Sequence, residues 1–265
     1  MFEELFNLAG QTAVVTGAAR GLGKAAAIGL AAFGADVAAI DLSADACQAV
    51  VDEIAAVGRT CRAYACDVSD ERRVRRIVAR IAHDFRRIDI LANIAGITAR
   101  ILSDEVPPDQ VRRLTDVNYH GTFWMCQHVG RIMLRQRRGV IINMSALGGG
   151  LVGLGRGNAA YCSTKGAVAA LTRDLACEWG PAGIRVNAVA PCWFQTDMNA
   201  ASIFAQKSFM DQLMTKLPMK RIGQPHELVG PIVFLASQAS SMITGLVLPV
   251  DGGASSTCPI EWRAE

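Results

Sequence analysis

Tyr161 and Lys165 stand four residues apart in the run AAYCSTKGAVAAL, and sixteen residues ahead of the tyrosine lies Ser145, at the end of the apolar run VIINM. A four-residue spacing stacks both side chains on one helix face. There an ammonium favours phenolate over phenol. At about 4 Å and an effective dielectric near 20 the attraction is ~4 kcal/mol, which lowers a tyrosine pKa from about 10 to roughly 7. Such a tyrosine exchanges protons at neutral pH. The same spacing occurs by chance in ordinary helices, so the pair acquires chemical meaning only from what the rest of the chain brings to it.

What it brings first is a strand, a glycine turn and a helix. The apolar run at 12–16 (TAVVT) leads into Gly17-Ala18-Ala19-Arg20-Gly21-Leu22-Gly23 and then an alanine-rich stretch reaching Gly34. The glycines follow G-x-x-x-G-x-G, and their missing side chains let backbone N–H groups and the helix N-terminus approach a pyrophosphate. A tight turn that needs positive φ at one or two glycines explains the same residues without a ligand. A second strand at 36–40 (DVAAI) ends at Asp41, 24 residues after Gly17 and close to where an acidic residue meets the adenine ribose in dinucleotide folds. Asp41 also suits a cap for a helix over 43–56.

The elements that must position these residues alternate along the chain. Further strands are expected at 62–65, 90–93, 140–144, 185–190 and 246–250, and helices at 71–84, 109–134, 161–179 and 227–236. That alternation predicts an α/β, single-domain, doubly wound Rossmann fold over residues 1–265, its seven-stranded parallel sheet covered by helices on both faces. At 265 residues and 51% hydrophobic the chain buries a large core. The formal charge of +3 is small, and Arg72, Arg73, Arg75 and Arg76 read as a solvated helix face rather than a nucleic-acid site. No stretch reads as a membrane span and the first ten residues lack the sections of a signal peptide, so a cytoplasmic protein is expected. The eight cysteines and four histidines are too dispersed for a disulfide framework or a zinc site. His120 is the one histidine near enough to Asn118 to reach the pocket.

Together these residues make the chain resemble the short-chain dehydrogenase/reductase family over nearly its whole length. The turn from Thr16 to Gly23 is similar to that family's cofactor motif, Asp67-Val68 to its adenine-contacting pair, and Asn93-Ile94-Ala95-Gly96 to its N-N-A-G segment with Ile94 for the second asparagine. Asn118, Ser145, Tyr161 and Lys165 match its catalytic tetrad. Residues 191–196, with Pro191, Phe194 and Thr196 as expected cofactor contacts, resemble the segment that closes over the nicotinamide, with Cys192 where the family usually has glycine. The gap from Ser145 to Tyr161 is a few residues longer than the usual one. The resemblance implies that Tyr161 exchanges the substrate proton, Ser145 positions the substrate oxygen, Lys165 biases the phenol and holds the nicotinamide ribose, and Asn118 helps hold a relay water. Hydride passes directly between substrate carbon and nicotinamide, so no metal is expected.

Asp41 favours a free ribose diol over a 2′-phosphate, while Arg20 stands where related NADP enzymes often carry a base. NAD is therefore the expected cofactor and NADP the alternative. The segments at 191–198, 223–225 and 250–253 resemble sugar-acid and polyol dehydrogenases of the gluconate 5-dehydrogenase type, which implies a small alcohol or ketone substrate. Arg100 and Arg156 suit an anionic group on it, with Leu147 and Trp193 as further candidate contacts, and residues 192–217 are expected to act as a lid. The family resemblance further implies a homotetramer, assembled through the helices at 109–134 and 161–179. Two readings stand beside this one: an NADPH-dependent 3-oxoacyl-thioester ketoreductase, and a catalytically idle dinucleotide sensor or scaffold.

Overall fold

A computed structural model describes residues 2–155, 157–196 and 207–256. Seven strands form one parallel sheet: β1 (Thr12–Thr16), β2 (Asp36–Asp41), β3 (Cys61–Ala65), β4 (Ile90–Asn93), β5 (Gly139–Met144), β6 (Ile184–Pro191) and β7 (Val247–Val250), in the spatial order β3-β2-β1-β4-β5-β6-β7. The chain winds outward from β1 in one direction, then returns and continues from β4 in the other. Between those two strands the loops part, opening a crevice at the carboxyl ends of the strands. Thr16 pairs in register with Ile40 on one side and Asn93 on the other, so the glycine turn, Asp41 and the segment after Asn93 emerge at one level.

The central strands are near-continuous apolar runs because both faces of the sheet are covered. Alternate residues feed two cores: Ala13 and Val15 pack on one side with Leu30, Val37 and Ile232, while Val14 packs on the other with Val78, Met125 and Val186. Helices α1 (Gly21–Ala32), α2 (Gln48–Ala56) and α8 (Val229–Ala236) contribute to the first core. Helices α3 (Glu71–Phe85), α5 (Gly121–Gln136) and α6 (Ala159–Trp179) supply the second. In α3 the buried Val74, Val78 and Ile81 follow helical spacing, the expected arginines face solvent, and Asp70 caps the first turn by accepting from the N–H groups of Arg72 and Arg73 at 2.9 and 3.1 Å.

The strands lie within a residue of their expected bounds, whereas three helices differ. The helix expected over 109–134 is two, α4 (Pro108–Thr115) and α5, joined by a π turn at Asp116–His120. Within that turn Asn118 is buried, and its side-chain amide bonds both the N–H and the carbonyl oxygen of Ile97 in the loop after β4. The helix expected from 43 starts as a 3-10 turn at Asp45–Cys47 and becomes α-helical only at Gln48. The one expected from 227 opens with a 3-10 turn, Pro225–Leu228, closed by a capping box between Gln224 and Glu227. Of the expected lid, residues 197–206 lie outside the described residues, and Lys207–Lys216 forms α7.

Candidate active site

The crevice is a cleft of about 810 Å³. Its dinucleotide end is made by the glycine turn. Gly17 has φ +67°, and a Cβ there would meet the Ala95 backbone at 2.9 Å, while a Cβ on Gly23 would lie 1.9 Å from the Gly17 carbonyl oxygen. The turn therefore packs onto itself and onto the loop after β4 with no room for a side chain at Gly17 or Gly23. Thr16 completes the joint, its hydroxyl oxygen accepting from the N–H groups of Ile94 and Ala95 at 3.0 and 3.1 Å.

Asp41 is not a helix cap. One carboxylate oxygen accepts from the Ala19 N–H at 3.0 Å and the other from the Leu42 N–H at 2.8 Å, so the end of β2 is tied to the middle of the glycine turn. Arg20 lines the cleft and, among the described residues, forms no ion pair with Asp41. The Asp67 carboxylate accepts from both the N–H and the hydroxyl of Ser69, at 3.0 and 2.7 Å, and Val68 packs where a Cβ on Gly121 would meet it at 2.7 Å. Gly21, Leu22, Ala95, Gly96, Pro191 and Thr196 all line the cleft as expected. A closely packed glycine turn with a carboxylate tied beside it fits a dinucleotide.

Asn93 does not line the cleft, which corrects the expectation that it contacts the cofactor. Its side chain turns into the core between β4 and β5, where Nδ2 donates to Asn143 Oδ1 at 2.9 Å and to Cys126 Sγ at 3.3 Å. Asn93 is the last residue of β4 and keeps its side chain within the sheet's core, whereas Ile94, Ala95 and Gly96 have left the strand and line the opening.

At the other end, Ser145, Tyr161 and Lys165 line one wall. The Lys165 ammonium donates to the Met144 carbonyl oxygen at 2.8 Å and stands 5.9 Å from the centre of the Tyr161 ring. Burial pushes the lysine down to about 8. It also pushes the Tyr161 phenol up, with the neighbouring Cys162 adding to the effect. The lowering expected from the i, i+4 pair is not found: burial raises the phenol, and the Lys165 ammonium is turned to the Met144 carbonyl. Ser145 donates to the backbone oxygen of Lys165 at 3.0 Å, a reach that requires Gly149, whose Cβ would come 2.5 Å from the serine oxygen.

Asn118 is fully buried behind this wall. Its Oδ1 accepts from the Ile97 N–H at 2.8 Å, and Nδ2 donates to the Ile97 oxygen at 2.9 Å and to Thr164 Oγ1 at 3.1 Å. His120 stays out of the cleft, bound to Asp116 at 3.0 Å and stacked on Trp124. Leu147, Arg100 and Trp193 do line it, and Arg156 lies outside the described residues. Phe194 is 4% exposed and belongs to the core as much as to the cleft, its ring filling the space above Gly223. The Cys192 N–H donates to Val250 in β7 at 3.2 Å, and burial pushes its thiol up to about 12.

Residues missed in the sequence join these parts. Phe209 on α7 touches the Trp193 ring edge at 6.4 Å between centres and lies 5.3 Å beneath the Arg100 guanidinium, connecting three segments around the cleft mouth. The cluster of Met and Phe in that segment was its only signal. Thr164 gave none beyond its place inside the Tyr161–Lys165 turn.

Residues 17–255 match the family profile described as Enoyl-(Acyl carrier protein) reductase. The chain is 39% identical over 250 residues to gluconate 5-dehydrogenase of Gluconobacter oxydans, covering 94% of this chain and 96% of that one. It is 37% identical over 248 residues to D-threitol dehydrogenase of Mycolicibacterium smegmatis, 94% of each. The crystal structure of a gluconate 5-dehydrogenase from Burkholderia cenocepacia in complex with NADP and tartrate superposes with a TM-score of 0.93 at 34% identity, covering 97% of this chain and all of that one.

Proposed function

The chain belongs to the short-chain dehydrogenase/reductase family and is an oxidoreductase acting on alcohol groups, and from that premise we propose that it interconverts a secondary alcohol of a polyol, sugar or sugar acid with its ketone. The observation that carries this reading is the shared cleft. The glycine turn, closely packed at Gly17 and Gly23, stands with Asp41 at one end, and Ser145, Tyr161 and Lys165 stand at the other.

Gly17, Gly21, Gly23 and the turn's N–H groups would hold the pyrophosphate, Asp41 the adenine ribose, Asp67 and Val68 the adenine, and Lys165 the nicotinamide ribose. When bound, the nicotinamide supplies the acceptor or donor of hydride. In oxidation Tyr161 takes the hydroxyl proton through its phenolate oxygen, and in reduction it returns it. Ser145 leaves the Lys165 carbonyl to hydrogen-bond the substrate oxygen and fix its place. Lys165, buried and with its charge weakly held, favours the phenolate once drawn toward the ribose. Trp193, Leu147 and Arg100 bound the substrate, with Arg100 meeting an anionic group where one is present, and the segment around α7 closes over it.

NAD is the favoured cofactor, because an Asp41 carboxylate fixed by two N–H groups repels a 2′-phosphate at that spot. A similar structure holds NADP, so both are assayed. The enzyme works in the cytoplasm as a homotetramer packed through α5 and α6. Seven described cysteines with free thiols suit a reducing compartment. Polyols, sugars, sugar acids and a 3-oxoacyl thioester, each tested with NAD and NADP by absorbance of the reduced cofactor, decide the substrate class. Turnover confined to the thioester with NADPH contradicts it, and binding of cofactor with no turnover of any substrate supports the idle reading.

A further inference from the structure

Thr164 lies in α6 between Tyr161 and Lys165, with its side chain buried. Its hydroxyl donates to the Tyr161 carbonyl oxygen at 2.7 Å and accepts from Asn118 Nδ2 at 3.1 Å. The other Nδ2 hydrogen goes to Ile97, so the Asn118 amide has no donor left for a ligand. Ile97 follows Gly96, and Gly96 fills the gap between two groups of the site: a Cβ there would lie 3.1 Å from Asn118 Oδ1 and 3.4 Å from Lys165 Nζ.

These contacts form one chain of bonds from the Tyr161–Lys165 turn to the loop after β4. We propose that Thr164 is a positioning residue: its hydroxyl pins the reacting turn of α6 to the π turn, and through Asn118 to the Gly96–Ile97 backbone, which sets how far Lys165 stands from Gly96. This rests on the reading of Tyr161 and Lys165 as the proton-transfer pair. A valine of the same shape would leave an Asn118 donor buried and unpaired. Relaxation of that amide moves either the π turn or α6, and each movement changes the Lys165 gap.

The same helix contains a control. Thr172, also buried, donates to the Val168 oxygen at 2.8 Å and accepts from Asn143 Nδ2 at 3.0 Å, repeating the arrangement two turns further on. The difference lies in what the two pairs bond: Thr164 and Asn118 reach Tyr161 and Ile97, which line the cleft, whereas Thr172 and Asn143 reach Val168 and Asn93, which do not. A merely structural threonine behaves as Thr172 does.

The test compares Thr164→Val, Thr164→Ser and Thr172→Val in the full chain, measuring Tm, NAD affinity and the pH profile of kcat for alcohol oxidation. Thr164→Val is expected to lower kcat roughly tenfold and move the rising limb about half a pH unit upward, with NAD affinity changed less than about threefold. Thr164→Ser restores both, and Thr172→Val lowers Tm without moving the limb. A Thr164→Val profile that coincides with wild type, or with Thr172→Val, overturns the proposal. Should Thr164→Val not fold, Thr164→Ala is judged by the same two outcomes. Tyr161→Phe measured alongside separates the failures: an active Tyr161→Phe removes the proton-transfer reading itself, whereas an unaltered Thr164→Val beside a dead Tyr161→Phe removes only the role of Thr164.

Discussion

The carboxylate of Asp41 accepts the N–H of Ala19 at 3.0 Å, so the residue that ends β2 also holds the glycine turn that follows β1. One side chain thus joins two features that lie 22 residues apart and would otherwise be separate contacts with a dinucleotide.

Asp41→Ala accordingly has two effects. Loss of a charged acceptor is worth about 1.5–3 kcal/mol, which predicts NAD binding weakened on the order of tenfold to a hundredfold. Removal of the negative charge relieves repulsion of a 2′-phosphate, so NADP loses less. Titration of both cofactors checks this; equal losses for NAD and NADP would leave Asp41 as a turn brace only.

Gly23→Ala tests the close packing of the turn directly. Its Cβ would fall 1.9 Å from the Gly17 oxygen, a distance that forces the backbone apart. Loss of detectable cofactor binding is expected, together with a stability loss of a few kcal/mol measured by denaturant. Wild-type cofactor affinity would show that the turn adapts and that its packing is not what makes the site.

Much of this arrangement was legible in the sequence, and the reason differs by element. The strands are recognisable because a sheet covered on both faces demands apolar runs, and Thr12–Thr16 and Ile90–Asn93 could hardly serve elsewhere. The glycine turn is readable because backbone proximity excludes side chains. Asn93 was legible as a position and misleading as a contact, and the partners of both Asn93 and Asn118 lie far off in sequence: Asn143 and Cys126 for one, Ile97 and Thr164 for the other. The π turn has no periodic signature, as it is one residue added to an otherwise regular helix. The ionisation of Tyr161 was beyond reach because spacing reports the lysine and not the desolvation that opposes it.

That desolvation has a pH signature. The Lys165 pKa is lowered from 10.5 to about 8, so the folded state binds fewer protons than the unfolded state between those values. Ligand-free stability therefore rises with pH across that window, and the full penalty of the buried ammonium applies below it. Lys165→Met removes the penalty: the variant is expected to exceed wild type in Tm at pH 7, by an amount that shrinks as pH approaches 10. A constant difference across the range would mean that the ammonium is not strained by burial.

Closure over the substrate is tested through Phe209. Its ring connects Trp193 and Arg100, so hydrogen exchange across residues 193–217 should slow when NAD and a substrate analogue bind, and Phe209→Ala should weaken that slowing while raising KM several-fold. Equal exchange with and without ligands would make the segment ordinary packing.

The central claim is that the phenol of Tyr161 moves the substrate proton. Tyr161→Phe removes one oxygen from a ring that otherwise stays in place, so single-turnover oxidation of the best alcohol should fall by at least about a hundredfold, while NAD affinity stays within a few-fold of wild type. Oxidation by Tyr161→Phe at a rate comparable to wild type, with NAD bound as tightly, would contradict the account.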